Sequence, residues 1–281
     1  MGALLAVISA IFYGLWKFGI GQGKGSISIN IVILISSSGA ATVYLAWGAA
    51  SHSLLFDAKD IIPGLIGGVC NYTGSFLLLK AIEKYKMGVV TGIGSASCLV
   101  PLFYSIAVGE PLSTQELLGL ALIFVGLILF CAPSQKLGKG LHLSMNVVIC
   151  SFLAAFFYGI SIIVLDYGTH ENLIGTLLAS LLPQMSLTVI NLCHSKYSSN
   201  RLSLSLLAIF SLSGTALAIA NMAFYAAANG GDINIGLASV IRSLNPLVIA
   251  ILARLLLCEK MTGPEVVALA IVLAGTGFVL A

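Results

Sequence analysis

Residues 109–126, GEPLSTQELLGLALIFVG, return as residues 258–275, CEKMTGPEVVALAIVLAG. Each stretch places an acid, a second acid six positions on and a glycine ten beyond that: Glu110, Glu116 and Gly126, then Glu259, Glu265 and Gly275. Phe12-Tyr13-Gly14 returns likewise as Phe157-Tyr158-Gly159. The offsets are 149 and 145, so the chain holds two copies of about 140 residues that differ by a short net length change. Self-similarity at this scale sets the architecture before any single element is assigned.

The copies are too apolar for water. Of 281 residues 59% are hydrophobic and 8% charged, against about 25% charged in an ordinary soluble domain. The charges cluster between apolar runs of about 18 to 25 residues, the length that spans a bilayer as a helix. A net charge of +3 with no basic block excludes a nucleic-acid partner. Cys70, Cys98, Cys131, Cys150, Cys193 and Cys258 lie in or at the ends of apolar runs without a Cys-x-x-Cys spacing. They read as small packing residues, not as a disulfide framework or metal site, and no cofactor motif is present. The first run begins at Ala3 with no basic segment before it, so it reads as a retained span.

The apolar runs predict helices over residues 3–20, 29–50, 61–79, 87–108, 116–132, 145–165, 173–194, 204–228, 233–257 and 264–281. The expected fold class is therefore an all-α membrane protein of ten transmembrane helices, five per copy. An odd number of spans makes the second copy enter the membrane from the opposite side, which gives two inverted five-helix repeats, a recurring plan of secondary transporters. Residues 1–134 form the first repeat, 135–144 a linker marked by Pro133, Gly138, Gly140 and two lysines, and 145–281 the second. Lys17, Lys24, Lys80, Lys84 and Lys86 follow the first and third spans, whereas Lys196, Arg201, Arg254 and Lys260 follow the second and fourth of the other copy. With Lys136 and Lys139, eleven of thirteen basic residues fall on one face, Lys59 lies opposite and Arg242 falls within a span. The positive-inside rule makes the crowded face cytoplasmic and both termini external.

Asn221-Met222-Ala223-Phe224-Tyr225-Ala226, Gly236 to Ile241, Leu244-Asn245-Pro246 and Cys258-Glu259-Lys260-Met261-Thr262, with Val108 to Ser113, Gly119 and Gly126 as first-half counterparts, resemble the EamA-type transporters of the drug/metabolite transporter superfamily. The resemblance covers essentially the whole chain. It implies a ten-helix bundle in which four helices of each half enclose a central cavity and the fifth packs outside, with alternating access to an organic metabolite. Two features depart from the pattern. Superfamily members usually keep both termini in the cytoplasm, which leaves import and export both open. The related small multidrug-resistance proteins carry a glutamate in the first helix for proton exchange, and this first helix has Tyr13, Trp16 and Lys17 but no acid.

An ionisable residue inside a span costs about 2.5–3.5 kcal/mol on insertion scales, so its presence argues for function. Arg242 lies about ten residues into the ninth span, near Ser239, Ser243 and Asn245, and its forked donors suit a carboxylate or phosphate; a structural arginine bonded to backbone carbonyls is the alternative. On the 149 offset it aligns with Ile93. Asn71, Asn221, Asn229 and Asn245 supply amides that can touch solute or hold helices together, and Asn71 and Asn221 fall within one residue of equivalent positions. Tyr13 and Tyr158 pair a hydroxyl with a glycine that permits close helix approach, and Tyr225 joins them from the family-like segment. Trp16 stands one turn from Tyr13, Lys80 ends the third span as an interfacial anchor, and Pro101, Pro183 and Pro246 interrupt spans. The expected substrate-binding set is Tyr13, Trp16, Asn71, Tyr158, Asn221, Tyr225, Arg242 and Asn245.

Enzyme chemistry finds no support. His170-Glu171 lacks the second histidine of a metalloprotease helix, no Gly-x-Ser-x-Gly occurs, and Asp166 and Asp232 sit at helix ends, unlike paired intramembrane acids. No P-loop is present, so the expected activity is secondary transport of a small organic metabolite, such as an amino acid or organic acid, in the plasma (inner) membrane. An intramembrane enzyme or a receptor or structural protein stands as the alternative. The partners are the solute and the lipid bilayer; the coupling ion and oligomeric state are open.

Overall fold

The computed structural model of the chain describes residues 1–23, 27–54, 57–85, 87–110, 112–131, 144–194, 203–231, 233–256 and 263–280. The linker at 135–144 lies outside them except for its last residue, as do Lys24, Lys86, Lys136, Lys139, Lys196, Arg201, Asp232, Glu259 and Lys260. The described residues form helices and no strand. In chain order these are α1 (Gly2–Gly21), α2 (Ile29–Ala50), α3 (Ala58–Lys84), α4 (Met87–Gly94), a 3-10 turn (Ser95–Cys98), α5 (Leu99–Ala107), α6 (Thr114–Cys131), α7 (Met145–Thr169), α8 (Leu173–His194), α9 (Leu204–Asn229), α10 (Ile235–Arg242), α11 (Asn245–Leu256) and α12 (Gly263–Leu280).

Counting α4 with α5 and α10 with α11 as single broken spans, eight helices among the described residues are long and apolar enough to cross a bilayer. The expectation of ten therefore meets a difference. The other two, α6 and α12, are 18 residues each, and among the described residues their apolar stretches run over Thr114–Gly126 and Val266–Gly275. A polar cap begins α6: Ser113 N–H donates to Glu116 Oε2 at 2.6 Å and Glu116 N–H to Ser113 Oγ at 3.1 Å. This reciprocal box fixes a helix start. The repeated glutamate at Glu116 thus belongs to architecture. Asp57 and Asp60 cap α3 in the same way, and that cap with a longer run to Lys84 gives a third helix of 27 residues, well beyond the expected 61–79.

The packing pattern survives exchange of the two halves. Helix α1 packs on α9 as α3 packs on α7, α2 packs on α9 as α8 packs on α3, and α2 meets α8 while α6 meets α12. Close crossings obey the same exchange. A methyl at Gly14 would lie 2.6 Å from Val248 Cβ and 3.1 Å from the Asn245 carbonyl; at Gly159 it would lie 2.5 Å from Val100 Cβ and 2.9 Å from the Ser97 carbonyl. Gly214 abuts the Ser36 carbonyl as Gly68 abuts that of Ser180, and Gly126 meets Val272 as Gly275 meets Ile123. Glycine is required at such crossings because a Cβ would strike backbone that cannot rotate away.

These contacts correct the repeat alignment. The offset is 148 in the broken helices and 146 across α3 and α9, so the counterpart of Arg242 is Gly94, not Ile93. Ser75, one helical turn from Asn71, is the counterpart of Asn221. The residues that do not face the other half, such as Leu45, Trp47, Ile128, Phe152 and Leu255, are apolar and exposed. That surface suits hydrocarbon.

Candidate functional site

The chain breaks at Ser243 and Leu244, between α10 and α11, and Arg242 is the last residue before the break. Asn245 explains why the break is stable: its Nδ2 donates to the Arg242 carbonyl at 2.9 Å, and Pro246, which has no N–H to leave unpaired, follows in the first turn of α11. The counterpart break, Ser95–Cys98, divides α4 from α5. Broken helices place polar backbone at membrane depth only where protein or a cavity satisfies it.

Arg242 is 6% exposed. Its Nη2 donates to Asn221 Oδ1 at 2.6 Å, and Asn221 Nδ2 donates to the Tyr44 hydroxyl at 3.1 Å. The guanidinium carbon lies 4.0 Å from the Tyr13 ring centroid and 4.8 Å from that of Phe224. Its Nε is buried without a hydrogen-bond acceptor. Among the described residues no carboxylate pairs with it. A guanidinium held by an amide and two rings is fixed in direction while its charge stays uncompensated, the state that an incoming anion would relieve.

Around Arg242 lies a small, partly open pocket, lined also by Tyr13, Asn71, Tyr158, Ser161, Ile162, Leu165, Leu217, Asn221 and Tyr225. Six of the eight sequence-predicted residues therefore meet at one cavity: Tyr13, Asn71, Tyr158, Asn221, Tyr225 and Arg242. The Tyr158 hydroxyl donates to Ser75 Oγ at 2.9 Å, and Ser161 Oγ donates to the Gly67 carbonyl at 2.8 Å, which ties α7 to α3. Trp16 stands outside this cavity. Its ring packs at a tilt against Tyr13, centroids 4.9 Å apart, donates from Nε1 to Ser36 Oγ at 3.1 Å and lines a second small pocket with Ser36, Ser37, Ser75 and Gln184. Asn245 lines neither and holds the helix break.

Leu217 borders both cavities, and a third small one, lined by Gly21, Gly23 and Glu83, shares Ile20 and Leu79 with the second. The three run in file from Arg242 toward the ends of α1 and α3. The opposite end is filled by Tyr44, Leu165, Ile174, Leu177, Phe224 and Ile235 and tied by Asn229 Nδ2 to the Thr169 carbonyl at 2.9 Å and by Gly236 N–H to Ser105 Oγ at 3.2 Å. The cavity is thus closed on one side and continued on the other.

The charge tally counts Lys17 with the basic residues that close the first span on its cytoplasmic side. Helix α1 instead runs on to Gly21, and Lys17 is 1% exposed with its ammonium 4.8 Å from the Tyr13 ring centroid. Its spacing of four from Tyr13 was a readable signal for a shared helix face. Tyr44, Phe224 and Leu217 carried no such signal, since an apolar run does not say which neighbour each face meets. Among the described residues no cluster of three His, Cys, Asp or Glu could hold a metal ion.

Comparison with known proteins gives a consistent picture. A solved crystal structure superposes with a TM-score of 0.78 at 14% identity over 99% of this chain and 95% of the other, a likeness of fold alone. A search of curated proteins found no match. The sequence pattern of the EamA-like transporter family matches residues 1–132 and 145–281, which is almost the whole chain. With its apolar helices and exposed hydrocarbon surface, this integral multi-pass membrane protein belongs to the EamA-like transporter family.

Proposed function

We propose that the chain is a secondary transporter that carries a small organic solute with an anionic group, such as an organic acid or amino acid, by alternating access. The observation that supports this most is the uncompensated Arg242 guanidinium at the closed end of the cavity file. Burying such a charge is costly unless something of opposite sign arrives, and a solute that supplies the charge gains the forked, directional bonding arginine offers. Asn71, Tyr158, Asn221 and Tyr225 surround the same space and set the solute's polar contacts. The two halves, residues 1–134 and 145–281 joined by 135–144, act as inverted five-helix repeats whose fifth helices, α6 and α12, pair with each other. The exchange symmetry of the crossings supports this reading. Rocking one half against the other would open the tied end and close the file.

With Lys80, Lys84 and Arg254 at the file's open side, the positive-inside rule makes that side cytoplasmic in the plasma membrane and the termini external. Proteoliposome uptake of a panel of organic acids and amino acids tests the assignment. Uptake of at least one anionic solute is expected in the wild type and is expected to be lost in Arg242→Gln with the protein still folded. Uptake undiminished in that variant would sink the assignment.

A further inference from the structure

Two cations, not one, reach the Tyr13 ring. Arg242 approaches it from α10 at 4.0 Å and Lys17 from one turn further along α1 at 4.8 Å, so their charged centres are no more than about 9 Å apart, the sum of those distances. Both side chains are more than nine-tenths buried. Among the described residues neither forms an ion pair with a carboxylate, and Arg242 Nε has no acceptor. Two basic groups this close and this deep disfavour each other's charge until an anion arrives, and protein dipoles at hand are Asn221 and the Tyr13 and Phe224 rings. Lys17 also sits on α1 between Tyr13, which lines the Arg242 cavity, and Ile20, which lines the next two. Its ammonium group lies against the same Tyr13 ring that lines the first cavity.

We infer that Lys17 and Arg242 form a two-cation clamp and that the solute carries two negative charges, as a dicarboxylate or a phosphate monoester. This rests on the cavity being the solute site. A single carboxylate satisfies Arg242 and leaves Lys17 uncompensated, whereas a dianion neutralises both. Arginine takes one anionic group in its planar fork, and lysine, a point charge on a flexible stem, follows the second group.

Trp16 provides the readout, since it packs against Tyr13 and the chain has only one other tryptophan, the exposed Trp47. In full-length protein carrying Trp47→Phe, in lipid nanodiscs, Trp16 fluorescence is titrated with succinate, monomethyl succinate and glycerol 3-phosphate. At least one dianion is expected to bind about tenfold or more tighter than monomethyl succinate. Binding of succinate alone marks a dicarboxylate site and of glycerol 3-phosphate alone a phosphate site, and either supports the clamp. Lys17→Met is expected to erase the preference and Lys17→Arg to keep it. Equal binding of succinate and its monoester, with glycerol 3-phosphate bound no tighter, overturns the clamp while leaving the solute site in place. A dianion preference that survives Lys17→Met removes Lys17 from it. Absence of binding by all three, with uptake of a neutral or cationic solute in liposomes, overturns the site reading itself. The wild-type comparison stands even if a Lys17 variant fails to fold.

Discussion

Asn221 is the residue on which the buried guanidinium depends, because it gives Arg242 its hydrogen bond and passes the other end of its amide to Tyr44. Replacing it with leucine strips the arginine of its acceptor, at a cost of about 1–3 kcal/mol in stability for a buried donor left unpaired. Asn221→Asp should do the opposite to folding and the same to transport. A carboxylate beside Arg242 satisfies its charge and so removes the reason for an anion to bind. The expected result is a melting temperature in detergent that falls for Asn221→Leu and holds or rises for Asn221→Asp, with anion uptake lost in both. Tyr13 is separable in the same way: Tyr13→Phe keeps the ring both cations touch, whereas Tyr13→Leu removes it. Cation–ring contacts are worth about 0.5–2 kcal/mol, so solute affinity should hold in the first variant and drop about threefold to thirtyfold in the second, as read by fluorescence titration.

At the scale of elements, the crossings decide how near the helices come. Gly214 on α9 lies against the Ser36 carbonyl of α2, and Gly68 on α3 against the Ser180 carbonyl of α8. A methyl at either must push two backbones apart, and overpacking of this kind costs about 1–3 kcal/mol. Gly88, at the start of α4, has nothing within 4 Å of the added atom. Thermal unfolding in one detergent should therefore show Gly214→Ala and Gly68→Ala melting below the parent and Gly88→Ala unchanged. The breaks in the fourth and ninth spans obey another logic. A helix interrupted at membrane depth has carbonyls to satisfy, and Asn245 supplies a donor to that of Arg242. Sequence reading placed Asn245 among solute contacts because an amide near a proline in a span has both uses. Only the position of its neighbours separates them.

For the whole molecule, helices pack more on the opposite half than on their own: α1 on α9, α3 on α7, and α2 on both α8 and α9. Neither half has a core of its own. Residues 1–132 expressed alone should therefore give no monodisperse species in size-exclusion chromatography, whereas co-expression with residues 145–281 should recover one. Two stable, separately folded halves would contradict the interlocked arrangement. The same interlock means that moving one half must move the walls of the cavity file.

The sequence by itself determined the solvent, the helical class, the duplication and the family, because these depend on composition, run length and recurrence, which are properties of the chain alone. It also singled out Tyr13, Asn71, Tyr158, Asn221, Tyr225 and Arg242, since polar groups are scarce in apolar spans and each is costly enough to be noticed. The tertiary structure alone decided that these six meet at one cavity, that Asn245 serves the helix break and that Lys17 belongs inside. It also decided that the repeat counterpart of Arg242 is Gly94. Each of those facts depends on which helix faces which, and within a bilayer nearly every face of an apolar helix is acceptable to lipid. Only the close crossings at glycine choose among them.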